Sequence, residues 1–212
     1  MSSEPGRQTR HSFSFGESYD PERVSFGPLL ALNDDLLGAG AGYDDHAHAD
    51  VVLVTWVVSG QLEHVDPSGS STHGAGDLAI TRAGTGITHS ERAGATVTRF
   101  VQAWLRPGEN GGEPSRSVTA PDLSSGELTT VATPDDLGVP GATLRIADLP
   151  PGASATIRAA PLRYVFVASG ALTRSSLAEP LSAGDAFEIR DEPDLSVTAA
   201  VPTQLLVWSF AA

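Results

Sequence analysis

Apolar stretches in this chain are short, and glycine, proline or paired polar residues break them every few positions. His11-Ser-Phe-Ser-Phe-Gly16 and Gln61-Leu-Glu-His-Val65 alternate apolar and polar residues, the period of a strand with one buried face. Val51 to Val58 is almost wholly apolar and rich in β-branched residues, which predicts a buried strand; Val97 to Leu105 is another. Turn signals separate them at Tyr19-Asp-Pro21, Ser59-Gly60, Asp66-Pro-Ser-Gly69, Gly76-Asp77 and Ala83-Gly84-Thr-Gly86. Phe26 to Leu32 is a further apolar segment, which Asn33-Asp34-Asp35 is expected to end, with a loop from Leu36 to Tyr43. Residues 1 to about 10 are polar and are expected to be loose. The only helical signal, a weak one, lies over Pro134–Leu137. The pattern predicts an all-β protein.

Composition agrees and narrows the chemistry. The chain has 212 residues with 22 Gly and 15 Pro, enough for two small domains rich in turns. With no cysteine, disulfides, thiolate metal sites and cysteine nucleophiles are excluded. All 13 basic residues are arginine, so Schiff-base chemistry and a phosphate-loop lysine are excluded as well. A formal charge of −13 repels phosphate backbones, and no direct nucleic-acid partner is expected. MSSEPGRQTR lacks a signal-peptide core and no apolar run reaches spanning length, so a cytoplasmic protein without a membrane partner is expected.

The chain repeats itself. Trp56-Val-Val-Ser-Gly60-Gln-Leu62 aligns with Phe166-Val-Ala-Ser-Gly170-Ala-Leu172 at an offset of 110, and Gly76-Asp77 with Gly184-Asp185 at 108. Two copies of a small antiparallel β-barrel are the simplest account. Between Pro107 and Gly126 the composition turns to Gly, Pro, Ser and Glu, which marks a linker. At the repeat offsets His46 and His48 fall on Thr156 and Arg158, and His89 and Glu91 on Val197 and Ala199. No histidine follows His89, so only the first half can carry an imidazole site.

That site is announced by two pairs of residues at i, i+2 spacing: His46-Ala-His48 before the Val51–Val58 strand, and His89-Ser-Glu91 after the Gly84-Thr-Gly86 turn. On an extended strand each pair points to one face. Three imidazoles and a carboxylate suit a divalent iron, nickel, manganese, copper or zinc ion better than calcium or magnesium. His64 and His73 read as solvated or structural, and His11 as a strand residue with a hydrogen-bond partner. No Gly-x-Ser-x-Gly elbow supports a serine hydrolase.

The consecutive blocks HSFSFGESYDP, FGPLLALNDD, HAHADVVLVTWVVSGQLEHVDPSG and AGTGITHSE resemble the signature blocks of the pirin family, bicupins related to bacterial quercetinases. The resemblance implies a bicupin of two antiparallel jelly-roll barrels in tandem. Residues 1–115 would be a metal-binding N-terminal cupin, 116–126 a linker, and 127–212 a C-terminal cupin without metal. His46, His48, His89 and Glu91 stand at the family's ligand positions, with Fe(II) the expected ion. The implied activity is a dioxygenase acting on a flavonol-like or polyphenolic substrate: substrate chelates the metal, Glu91 accepts its proton as catalytic residue, and ring cleavage by dioxygen releases carbon monoxide. Two alternatives stand beside it. One is a redox-sensitive regulator that binds a transcription factor or metabolic enzyme as its protein partner; the other is a vestigial bicupin without metal. A monomer is expected. The chain departs from the family's pattern at Val52, where a glutamate is usual, and at Ala47 and Ala49.

Overall fold

A computed structural model describes residues 1–14, 19–123, 126–175 and 179–211. It divides into two compact units, Met1–Pro121 and Asp122–Ala212. The first contains β1 (Ser2–Glu4), β2 (Arg7–His11), β3 (Leu29–Leu37), β4 (Gly42–His48), β5 (Val52–Ser59), β6 (Gln61–Asp66), β7 (Gly69–Gly74), β8 (Leu78–Arg82), β9 (Ile87–Ala93), β10 (Thr98–Leu105) and β11 (Ser115–Thr119). The second contains β12 (Thr129–Ala132), α1 (Pro134–Leu137), β13 (Thr143–Leu149), β14 (Ser154–Ile157), β15 (Leu162–Ser169), β16 (Ala186–Arg190), β17 (Leu195–Thr198) and β18 (Thr203–Phe210). The chain is all-β, as the alternation predicts, and no described helix is long and apolar enough to cross a membrane.

In the first unit a seven-stranded sheet runs β1-β2-β3-β10-β5-β8-β11 and a four-stranded sheet runs β4-β9-β6-β7. Every pairing is antiparallel. β5 and β10 occupy the middle of the larger sheet and are buried on both faces, which explains why Val51–Val58 reads as a continuous apolar run. Leu37, Val57, Leu62, Ala93 and Phe100 pack together, with Tyr43 against them. In the second unit the sheets are β12-β13-β18-β15-β16 and β14-β17.

The internal repeat is visible atom by atom. Gly60 and Gly170 have φ of 81° and 79°, a left-handed conformation that glycine adopts at no steric cost. The hydroxyl of Thr98 bridges the N–H and C=O of Gln61 at 3.1 and 2.8 Å, and Thr203 does the same for Ala171 at 3.1 and 2.9 Å. At the next turn, Gly76 N–H donates to Val57 C=O and Gly184 N–H to Val167 C=O, each at 2.9 Å. Asp77 and Asp185 each accept a backbone N–H three residues upstream, from Gly74 at 2.7 Å and Ser182 at 2.8 Å.

Several expectations fail, each for a reason. The first ten residues are not loose: β1 and β2 form a hairpin that extends the large sheet from β3. An edge strand pairs through its backbone, so its side chains can stay polar and leave no apolar signal. The strand expected over His11–Gly16 ends at His11, and Phe15 and Gly16 lie outside the described residues. Asn33-Asp34-Asp35 does not end its strand; β3 runs through all three, and all are buried. Asp34 takes a two-pronged bond from Arg99 at 2.7 and 2.9 Å, Asp35 accepts from Thr9 and Tyr43, and Asn33 faces His11, so each buried polar group has a partner. The loop expected over Leu36–Tyr43 shrinks accordingly to residues 38–41. Finally, β11 lies inside the Pro107–Gly126 stretch expected to be linker. It pairs with β8 from Ser115↔Arg82 to Thr119↔Leu78, and three of its five residues are polar serine or threonine facing an edge. The helical signal over Pro134–Leu137 is a single turn, capped by Thr133 and Asp136 and ended by Gly138 in the left-handed region.

A methyl at Gly60 would lie 2.5 Å from Val97 O, and one at Gly170 would lie 2.2 Å from Pro202 O. Gly60→Ala and Gly170→Ala should therefore each cost roughly 2 kcal/mol or more in chemical denaturation, from strain plus the collision with a backbone carbonyl. Near-neutral values for both would refute the shared turn geometry.

Candidate metal centre

The four-stranded sheet turns a face rich in titratable groups inward. His46 is paired with His89 across β4 and β9, and His64 is paired with Glu91 across β6 and β9. His48, His64, His89 and Glu91 are buried and His46 is half-buried. The pairing of β4 on β9 shifts between Tyr43 and His46, and Gly42 lets the strands meet there: a Cβ on it would lie 2.1 Å from Glu91 O.

The imidazoles of His46, His48 and His89 cluster with ring centres 4.4 to 5.0 Å apart. Each contributes a nitrogen lying within 4.8 Å of the other two, and His64, His89 and Glu91 make a second such group that shares His89. His46 Nδ1–H donates to Asp44 C=O at 2.8 Å, which leaves Nε2 as its free lone pair. His48 Nε2 and His89 Nε2 are buried and lack a hydrogen-bond partner. Unpaired buried nitrogens are costly unless something else satisfies them, and a divalent metal would. Burial, reinforced by the neighbouring His46, pushes His48 down to about 4; burial and the charges of His46, His64, His48 and Arg116 push His89 down to about 3. Both rings are therefore neutral at pH 7, the form that binds metal.

Glu91 completes the set. Burial raises its carboxyl to about 7, against the partial relief of its hydrogen bond from Gln102. Gln102 Nε2 reaches both carboxylate oxygens, at 3.2 and 3.1 Å, and Gln102 Oε1 accepts from Trp104 Nε1 at 2.9 Å. Trp104 stands edge-on to His48 with ring centres 4.9 Å apart. A lone carboxylate that finds only one amide partner in so buried a place is an electrostatic complement to a cation.

Behind the cluster His64 Nδ1 faces His89 Nδ1 at 3.4 Å, and His64 Nε2 faces Asp66 Oδ2 at 3.0 Å. Burial would raise the Asp66 carboxyl, but hydrogen bonds from the Ser68 hydroxyl, His64 and the Ser68 N–H outweigh it and hold Asp66 at about 2. His73, on β7, is held at about 4 by burial and by Arg116, whose guanidinium reaches it and Ser71 from β11.

In front of the cluster a pocket of about 710 Å³ opens, walled by the β1–β2 hairpin and by Asp35, Tyr43, His46, Glu91, Gln102 and Trp104. Tyr43 and Thr9 hydroxyls both donate to Asp35 Oδ1 at 2.5 Å, and the Arg7 guanidinium lies over the Tyr43 ring at 4.2 Å.

The structure thus brings His46, His48 and His89 together and joins Glu91 to them through His89 and His64. His11 bonds Asn33 Oδ1 at 2.9 Å, as expected of a strand histidine. His64 and His73 are not solvated; each is 3 % exposed and engaged within the site's inner wall. Asp50 plays no part in the cluster: it is exposed and accepts the Gly111 N–H at 2.6 Å. Val52 is buried in β5 between Leu105 and Arg82 of its neighbouring strands. Gln102 and Trp104 carry no ligand chemistry in the sequence, but their i, i+2 spacing on β10 puts both on one face of the strand, where Gln102 reaches Glu91 and Trp104 reaches His48. Arg116 was hidden by its linker-like surroundings.

Two antiparallel sheet units, one bearing an inward His/Glu cluster suited to a divalent metal, define a bicupin with one candidate metal centre. The model of the Pirin family matches residues 1–105. A protein of Mycobacterium tuberculosis named "Putative quercetin 2,3-dioxygenase" is 38 % identical over 221 residues, covering 97 % of this chain and 88 % of that one. The quercetin 2,3-dioxygenase of Escherichia coli K12 is 37 % identical over 133 residues, 56 % of this chain and 58 % of that protein. Among solved structures, the bacterial pirin YhhW of Escherichia coli in complex with nickel(II) superposes over 100 % of this chain and 95 % of that chain, with TM-score 0.89 and 28 % identity. The chain belongs to the pirin family.

The depressed histidines make stability depend on pH. His48, His73 and His89 fall from 6.5 to about 4, 4 and 3, so below about pH 6.5 the unfolded chain binds more protons than the folded one and stability falls toward pH 4. Glu91, raised from 4.5 to about 7, acts in the opposite sense between those values. His64 is lowered as well and Asp35 is raised by burial. Four lowered histidines outweigh two raised carboxyls, so the metal-free protein should melt at a lower temperature at pH 5 than at pH 7; calorimetry showing a flat or rising trend on acidification would contradict this.

Proposed function

We propose that this chain is a metal-dependent dioxygenase of the quercetin 2,3-dioxygenase type. Its divalent ion, Fe(II) in the first instance, would be held by His46, His48 and His89 through Nε2 and by a Glu91 carboxylate oxygen. The observation that carries the reading is the pair of partnerless buried nitrogens, His48 Nε2 and His89 Nε2, beside a carboxyl raised to about 7 at the floor of a pocket of about 710 Å³. The names of the relatives supply the substrate class, a flavonol with dioxygen.

When bound, the metal would supply a Lewis-acidic, redox-active centre with positions left for substrate and dioxygen. The protein's own contribution is proton transfer and orientation. Glu91, raised by burial in the metal-free protein, would be held as a carboxylate by a cation beside it, and in that form it accepts the proton of the flavonol hydroxyl. Gln102 holds the carboxylate in place, and Trp104 fixes Gln102 in turn. Tyr43 and Trp104 offer aromatic walls to a flat substrate, and the Asp35–Tyr43–Thr9 cluster offers polar contacts to its remaining hydroxyls.

Protein loaded with Fe(II), Ni(II), Mn(II), Cu(II) or Zn(II) should be mixed with quercetin under oxygen and the flavonol absorbance followed. At least one redox-capable ion should support turnover. Glu91→Gln should lower kcat about 10²- to 10⁴-fold, and His89→Ala should abolish metal uptake. Failure of every loaded form to consume quercetin would remove the reading.

A further inference from the structure

The inner wall behind the cluster carries a chain of hydrogen bonds with one consistent assignment of protons. Asp66 Oδ1 is occupied by the Ser68 N–H at 2.7 Å and the Ser68 hydroxyl at 2.5 Å. Asp66 Oδ2 faces His64 Nε2 at 3.0 Å. An ionised carboxylate only accepts, so His64 carries its proton on Nε2 and presents a lone pair at Nδ1. That lone pair faces His89 Nδ1 at 3.4 Å, so His89 must carry its proton on Nδ1. His89 Nε2 is then left as a lone pair, and it is the buried nitrogen without a partner, beside His46 and His48.

We infer that Asp66 and His64 are positioning residues that set the tautomer of His89, so that its Nε2 faces the metal as a ligand. The inference rests on the metal-centre reading above and extends it inward by two residues. A carboxylate–histidine–metal arrangement is a common means of fixing a ligand's ring and raising its basicity; here a second imidazole is inserted between carboxylate and ligand. His64 cannot itself be a ligand while both its nitrogens are engaged, although it lies close enough to His89 and Glu91 to be considered one.

The Ser68 contacts make the relay testable. In Asp66→Asn the amide oxygen must stay with the Ser68 N–H, so the amide NH2 turns to His64 Nε2. That reverses the chain: His64 Nε2 accepts, its Nδ1–H donates to His89, and His89 carries its proton on Nε2, where it blocks ligation. Asp66→Ala imposes no tautomer. With full-length protein, nickel(II) affinity is measured by competition with a chromogenic chelator, ligation by nickel X-ray absorption, and folding by thermal melting. Asp66→Asn should bind nickel about 10- to 100-fold more weakly, with fewer imidazoles at the metal and an unchanged melt, while Asp66→Ala stays nearer the parent. His64→Gln, which keeps an acceptor for His89 Nδ1–H, should bind more tightly than His64→Leu. A merely structural role gives the reverse order, with the near-isosteric Asn harmless and Ala worst, and overturns the relay. Parent-like affinity in both Asp66 variants overturns it as well. If the parent protein takes up no nickel, the metal-centre reading fails, and the relay falls with it.

Discussion

Placing a carboxylate and several imidazoles on the buried face of one sheet is the constraint on which this molecule depends. Desolvation disfavours every charged form there, and the protein answers group by group. His48 and His89 are kept neutral, Glu91 is raised to about 7, and each polar atom but a few is given a partner. The exceptions are informative. Among the described residues, the buried imidazole nitrogens without a partner are His48 Nε2 and His89 Nε2, and a cation would satisfy both.

The surrounding architecture serves that face. β9 carries both His89 and Glu91, β4 delivers His46 and His48 from one side, and β6 delivers His64 from the other. The large sheet then supplies the ring of support: Gln102 and Trp104 from β10 toward Glu91 and His48, and Arg116 from the edge strand β11 toward His73. The β1–β2 hairpin forms a wall of the pocket in front.

The second unit repeats the turns of the first around an apolar face. Its Gly170–Thr203 and Gly184–Asp185 turns copy Gly60–Thr98 and Gly76–Asp77. Yet the buried positions on β14 and β17 are Ala155, Ile157, Leu195 and Val197, which join an apolar core with Val165, Phe187 and Val207. The inward positions of β14 are one residue away from Thr156 and Arg158, both of which are exposed. A small shift in the repeat offset therefore separates a sequence alignment from the true inward face, because side-chain direction alternates at every residue.

The sequence by itself determined the all-β class, the repeated glycine turns and the pairing of candidate ligands as His46/His48 and His89/Glu91. These are local properties: strand period, positive-φ glycines and i, i+2 spacing are readable from neighbours along the chain. Only the tertiary structure decided that Asn33–Asp35 lies inside a strand, that residues 115–119 join a sheet, and that His64, Asp66, Gln102 and Arg116 surround the ligand cluster. Most of these rest on partners far along the chain, such as Gln102 with Glu91, 11 residues away, or Arg99 with Asp34, 65 residues away. Asp66 has its partners His64 and Ser68 close by in sequence, but only the fold sets that group behind the cluster. A polar residue reads as exposed until the group that satisfies it is known, and that group is supplied by the fold.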